Sequence, residues 1–385
     1  MTDVCNRAPC ESSAPGPAIS WKIHPGACRK VVDPSASRTW PRDYPARTAA
    51  QLWQPFAAAN FEEMSEEPLK SNVVVSTIVA SRGRPDSLER CVASIVECDP
   101  APSEIIVIEQ AVPGMRRAWF PPHPALRHVY SDETGKSRAL NQAVDLATGD
   151  ILFFTDDDCT VSPEWIERGV AMLARHSGAE AVFGALEAAP HDFATEWVPV
   201  FLPARERVLH GPNAFMENGG AGANMIISRR ALAEAGPFDE LLGPGERFKG
   251  LEEFDMFYRL LKASMQVVYD PANPVLHWGI RKQSDGSAQI VLRGYAIGEG
   301  AVLAKHFRCG DWRALRMVWR ATVRDVAIAG RAVVRERRPS GMRRLAARTK
   351  GFTSGMVAPL DRTHRVFRAR RAHTRLERGS VENLK

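Results

Sequence analysis

The sequence predicts an α/β domain over residues 73–283, between a proline-rich N-terminal extension (1–72) and a basic helical C-terminal region (284–385). Three observations predict it. Apolar, β-branched runs alternate with helical periodicity from residue 73 onward. One of those runs ends in three consecutive aspartates. Beyond residue 284 helical patterns persist, arginine dominates and strand signals vanish.

Val73–Val79 is a continuous apolar run, as expected for a strand buried on both faces. A polar turn, Ser81 to Pro85, follows. The next helix is expected to start with Asp86 as N-cap and Glu89 three residues on. Its apolar residues Leu88, Cys91, Val92, Ile95 and Val96 share one face. Glu104–Ile108 reads as a strand, Ser137–Ala147 as a helix and Ile151–Thr155 as a strand. Ser162 is expected to cap a further helix with Pro163 in its first position. Such alternation argues for a mainly parallel sheet, whose ligands bind at the carboxyl ends of the strands.

The 385 residues fit one large domain with extensions or two ordinary domains. Hydrophobic residues at 44% and charged residues at 25% suit a soluble globular chain. No stretch approaches the roughly 20 apolar residues of a membrane-spanning helix. The first 30 residues, interrupted by Pro9, Pro15, Pro17 and Pro25, lack the apolar run of a secretory signal, so a cytoplasmic location is expected. Seven scattered cysteines fit neither a disulfide framework nor the tight paired spacing of a zinc site. Residues 1–72 offer one candidate helix, Ala46–Met64, and no chemistry.

The acidic triplet carries the most information. The strand Ile151–Thr155 runs straight into Asp156, Asp157 and Asp158. Adjacent like charges repel unless a cation neutralises them. Mg²⁺ and Mn²⁺ prefer carboxylate oxygen and share their coordination sphere with substrate phosphates. A divalent ion gripping a diphosphate is one reading; a solvated acidic turn is the other.

The segment resembles the Asp-X-Asp motif of glycosyltransferases with the GT-A fold, in particular the inverting family 2. Further matches follow in the family's order: the Arg82-Gly83-Arg84-Pro85 turn, Gly135 to Asn141, Gly222-Ala223-Asn224 with Arg229-Arg230, Gly236 to Glu240, Glu252-Glu253-Phe254-Asp255 with Arg259, and Val275-Leu276-His277. The resemblance spans residues 73–283. It implies a Rossmann-like sheet, a nucleotide-sugar donor, a divalent metal and an acceptor hydroxyl on a saccharide or lipid-linked carrier. It assigns Ser81, Arg82, Glu109, Arg138, Asp156 and Asp157 to the donor. Asp158, Asp156 and His277 would hold the metal, and Glu253 or Glu252 would be the general base. The chain departs from the family at Glu109-Gln110, where an aspartate usually contacts the base, and at Glu253, which stands for an aspartate.

Each role has a plainer alternative. Acids at a helix's first turn favour its dipole whether or not they are catalytic. A lone histidine at a strand end is often structural. Gly219 to Ala223 lets backbone approach a ligand closely. Gly135-Lys136-Ser137 ends like a phosphate loop, but Tyr130 stands where that motif needs its first glycine. A nucleotidyltransferase, or a non-catalytic carbohydrate- or membrane-binding homologue, is the competing class.

The net charge of +6 is unevenly spread. Residues 301–385 carry 22 lysines and arginines against 6 acids, a balance of +16, which leaves −10 for residues 1–300. Arg313, Arg316, Arg320, Arg324, Arg331 and Arg335 form one helical stripe, with Trp312, Leu315, Val318, Trp319, Val323 and Val326 supplying apolar surface. Two readings stand: a helix lying on an anionic membrane surface, or one packed on the domain with its arginines solvated. No nucleic-acid-reading motif accompanies the charge.

Overall fold

The computed structural model describes residues 73–110, 114, 117–214, 219–336 and 340–368. The candidate helix Ala46–Met64 and Cys5, Cys10 and Cys28 lie outside the described residues.

The first half alternates as expected: β1 (Val75–Arg82), α1 (Pro85–Val96), β2 (Glu104–Gln110), β3 (Leu126–Ser131), α2 (Lys136–Leu146), β4 (Ile151–Asp156), the short β5 (Cys159–Thr160) and α3 (Trp165–Arg175). Next come β6 (Ala179–Ala188), β7 (Glu196–Trp197), β8 (Arg207–His210), β9 (Met225–Ser228), α4 (Arg229–Ala235), α5 (Glu252–Lys262), β10 (Gln266–His277) and β11 (Arg281–Lys282). The chain continues through α6 (Ser287–Arg308), α7 (Arg313–Glu336), α8 (Ser340–Val357) and the two short strands β12 (Leu360–Asp361) and β13 (Val366–Phe367).

One sheet runs β3-β2-β1-β4-β9-β6-β10-β5, with β8 also on β10. The strands β3, β2, β1 and β4 are parallel, as are β6 and β10. β9 runs antiparallel between β4 and β6. β1 and β4 are buried on both faces, which is why they read as largely apolar or β-branched runs without alternation, with Ser76, Thr77 and Thr155 buried among them. The fold is α/β, with a largely parallel central sheet as expected.

Two helix starts differ from expectation. α1 begins at Pro85, so Asp86 lies within the first turn and Arg84 takes the N-cap position, because the proline itself opens that turn. Glu89 instead accepts the Trp119 N–H at 2.9 Å. α3 begins at Trp165, whose N–H bonds to the Ser162 carbonyl, so Ser162 to Glu164 form a turn ahead of the helix.

The boundary expected at residue 283 is crossed by a buried ionic network. Lys305 of α6 lies 2.5 Å from Asp239 and 2.8 Å from Asp255, and all three are fully buried. Asp255 also meets His306 at 2.8 Å and Arg259 at 2.9 Å. Burial, opposed by Asp255, pushes the His306 imidazole down to about 4, so it is neutral at pH 7. A Cβ on Gly298 of α6 would come within 2.5 Å of the Gly250 carbonyl. That contact presses α6 against the loop before α5, where Lys249 and Leu251 hold left-handed φ values of 70° and 71°. Asp239, Asp255 and Arg259, all drawn from the sequence motifs, are thus bound up in anchoring α5.

Candidate active site

The site lies at the carboxyl ends of β1 and β4, where ligands of such sheets bind. β4 delivers Asp156 as its last residue. Asp157 and Asp158 follow in a turn held by β5, which pairs with the end of β10 and so brings Cys159 opposite His277.

Each aspartate meets a basic side chain. Asp156 Oδ1 lies 2.6 Å from Lys136 Nζ. Asp157 is buried; it accepts from Ser81 Oγ at 2.6 Å and meets Arg84 at 2.6 Å. Asp158 meets Arg84 at 2.6 Å and His277 Nε2 at 3.3 Å. Burial pushes Asp157 up to about 6, although Arg84 pulls it down. Burial acts on Asp158 too, but His277 and Arg84 outweigh it and hold that carboxyl well below the usual range. His277 is raised by the same pairing, against its own burial.

Lys136 connects this cluster to α5. Its ammonium lies 3.1 Å from Glu252 Oε1 while it holds Asp156. Burial lowers its pKa, but Asp156, Glu252 and Glu253 more than compensate and raise it well above the ordinary value. Glu252 is buried and Glu253 half-buried in the first turn of α5. Burial, then the Glu252 charge, pushes Glu253 well above the ordinary carboxylate value, with Lys136 opposing. A Cβ on Gly222 would sit 3.0 Å from the Glu253 Cβ, so the bare glycine admits that side chain. Neighbouring Asn224 is structural: its amide donates to the carbonyls of Ala185 and Asn273 and accepts from Trp165 Nε1.

The structure therefore gathers Ser81, Asp156, Asp157, Asp158 and His277 at one point and joins Glu252 to them through Lys136, with Glu253 alongside. It does not bring the rest of the expected set to the triplet. Arg82 is exposed at the end of β1. Glu109 is buried against His128, 2.9 Å away, and the Ala118 N–H. Arg138 pairs with Glu240 and Glu246. Arg84 and Lys136 hold the positions that sequence reasoning missed. The signals were present, in the Arg-Gly-Arg turn and in the lysine of Gly135-Lys136-Ser137. Gln110 places that lysine by clamping the backbone of Gly135 with both ends of its amide, at 2.8 and 3.1 Å.

The residues present fit a divalent cation. Asp158, Cys159 and His277 offer ligand atoms within 4.8 Å of one another. His277 Nδ1 is engaged by the Pro199 carbonyl at 3.0 Å, which directs Nε2 toward Asp158. A Cβ on Gly279 would lie 2.5 Å from His277 Nε2 and 2.9 Å from Asp158 Oδ2, so only glycine leaves that cradle open. Burial pushes the Cys159 thiol well up, leaving the carboxylate and imidazole as the donors a hard or borderline ion prefers.

The strand-borne acidic triplet faces a second pair of acids across a lysine. The model for glycosyl transferase family 2 matches residues 76–233, from β1 into α4. Over residues 76–233 the chain carries a family 2 glycosyltransferase domain. The nucleotidyltransferase alternative falls away with that match. The transferase is 26% identical over 247 residues to the succinoglycan biosynthesis protein ExoM of Rhizobium meliloti, covering 61% of this chain and 69% of that protein. It is 25% identical over 225 residues to a glucosyl-dolichyl phosphate glucuronosyltransferase of Haloferax volcanii, covering 54% and 69%. Among solved structures, a mannosyltransferase from Pyrobaculum calidifontis in complex with GDP-Man and Mn²⁺ aligns with a TM-score of 0.49 at 17% identity, over 80% of this chain and 92% of that one. The matched segment of the transferase ends before Glu252, Glu253 and His277, so their membership of the site rests on geometry.

Proposed function

We propose that this transferase moves a glycosyl group from a nucleotide-sugar donor to an acceptor hydroxyl, with inversion, in a reaction that needs Mg²⁺ or Mn²⁺. The observation that carries the reading is Lys136, which touches Asp156 on the donor side and Glu252 on the α5 side. It sets the triplet and the candidate base within one cluster.

Asp158 and His277 would hold the ion, with Asp156 turned to the donor. The bound ion would supply Lewis-acid stabilisation of the departing diphosphate. Arg84, about half exposed over Asp157 and Asp158, is available to the same diphosphate oxygens. Ser81 orients Asp157 beneath it. Glu253 takes the acceptor hydroxyl's proton, and its raised pKa makes it a stronger base than an ordinary glutamate. The acceptor oxygen then bonds to the anomeric carbon as the bond to the diphosphate oxygen breaks on the opposite face. Glu252, buried and paired with Lys136, positions rather than reacts.

The relatives' names, one a succinoglycan biosynthesis protein and one a glucosyl-dolichyl phosphate glucuronosyltransferase, support a saccharide or lipid-linked acceptor. We place the reaction on the cytoplasmic side, at a membrane surface. Residues 73–283 form the transferase domain in this reading, with α6 as the buttress of α5. The test is a screen of nucleotide-sugars for stabilisation against heat, with and without Mn²⁺. A ligand that binds only the folded state raises its melting temperature by mass action. A donor that stabilises only when Mn²⁺ is present supports the reading; donors that bind equally in chelator remove the metal from it.

A further inference from the structure

Helix α7 has two unlike sides. Ala314, Ala321, Asp325 and Ala329 are buried along one seam. Asp325 is clamped there by Arg348 of α8, which also holds Glu299 of α6 at 2.8 Å. Arg324 belongs to this side as well, 3.7 Å from Glu299. The other seam is apolar and uncovered among the described residues. Trp312 is 71% exposed, Trp319 69%, Val323 47%, Val326 53% and Val334 84%. Their spacing keeps them on one face of the helix. Arg316, Arg320 and Arg331 are exposed along its edge. The only acids in α7 are Asp325, which is buried, and Glu336 at its last position.

We propose that this face of α7 lies flat on an anionic lipid bilayer, with the two tryptophans and the valines in the interfacial layer and the three arginines against lipid phosphates. Charge complementarity selects the occupant. An apolar strip with tryptophan, edged by arginine and carrying no exposed carboxylate along its middle, matches a negatively charged bilayer surface. No helix of the described residues is long and apolar enough to cross a membrane, so the contact is peripheral. The other half of the helix is already spent on α6 and α8, which fixes the domain's orientation to the surface. This inference deepens the membrane location proposed above and rests on it, but not on the transfer reaction, since vesicle binding is read without donor or acceptor.

The test is co-sedimentation of the full chain with vesicles of phosphatidylcholine alone or mixed with phosphatidylglycerol, at low and high salt. Binding should require the anionic lipid and weaken with salt, whose screening length is about 8 Å at physiological strength. Replacing Arg316, Arg320 and Arg331 together by Gln should weaken partition on the order of a hundredfold. Trp312→Ser with Trp319→Ser should remove the part that survives high salt. The arginine variant and Trp319→Ser alone should keep the wild-type melting temperature and donor-dependent stabilisation, since those side chains touch solvent, whereas Trp312 also meets Phe307 edge-on at 5.3 Å. Failure of the intact chain to bind anionic vesicles at low salt overturns the proposal. So does equal binding to neutral vesicles, a tryptophan-dependent dimer in their absence, or a lowered melting temperature in Trp319→Ser alone, which would assign the face to a second copy or to packing within the chain. Loss of donor stabilisation with intact vesicle binding would instead count against the transferase reading alone.

Discussion

The Lys136 ammonium lies 2.6 Å from the Asp156 carboxylate, and the same nitrogen reaches Glu252 at 3.1 Å. Donor-side and base-side carboxylates thus share one cation, and the charge on either side is felt by the other.

Lys136→Met should lower kcat by roughly tenfold to a hundredfold and shift its pH profile. Lys136 pulls the pKa of Glu253 down, against burial and the Glu252 charge, which push it up. A base works when deprotonated, so activity rises as pH climbs through that pKa. The acid limb of the wild-type profile should lie above the usual glutamate range. In Lys136→Met it should move to still higher pH, and Lys136→Arg should return it toward wild type. An unmoved limb would sever Lys136 from the base.

Glu253→Gln should keep donor affinity and lose about 10²–10⁴ in turnover, the usual contribution of a general base. Glu252→Gln should cost less in kcat and disturb Lys136 instead. The reverse ranking transfers the role to Glu252; normal turnover in both removes the base from α5.

Asp158→Asn and His277→Ala should each weaken Mn²⁺-dependent nucleotide binding by about tenfold or more while the fold persists. Calorimetric titration of nucleoside diphosphate with and without Mn²⁺ reads this directly. Metal-dependent affinity that matches wild type in Asp158→Asn would exclude that carboxylate as a ligand.

Lys305→Met should destabilise the protein by about 3–5 kcal/mol, because it leaves the buried carboxylate of Asp239 without its cation and takes one partner from Asp255, which keeps Arg259 and His306. Denaturant unfolding measures it. A change below about 1 kcal/mol would mean that α6 is not needed to hold α5.

The sequence by itself determined the strands β1, β2 and β4 and the acidic triplet, because these are written locally. A strand buried on both faces reads as a largely apolar or β-branched run without alternation, as in β1 and β4, and consecutive aspartates at the end of β4 are visible without any knowledge of neighbours. The helix cores were legible for the same reason, while the starts of α1 and α3 were not, since backbone turns rather than the Asp86 and Ser162 side chains open them. Only tertiary structure decided which groups face the triplet. Arg84, not Arg82, covers Asp157 and Asp158; Gly83, at φ 65°, turns the chain after β1, and a residue's direction past such a turn is not encoded in strand periodicity. His277 meets Asp158 because β5 pairs with the end of β10, and Lys136 reaches Glu252 because α2 and α5 converge on the end of β4. The basic C-terminal region looked separate in sequence because its surface arginines dominate the composition. Its Lys305 and His306 are buried under α5, and burial of a charge is decided by the partners that folding supplies, here Asp239 and Asp255.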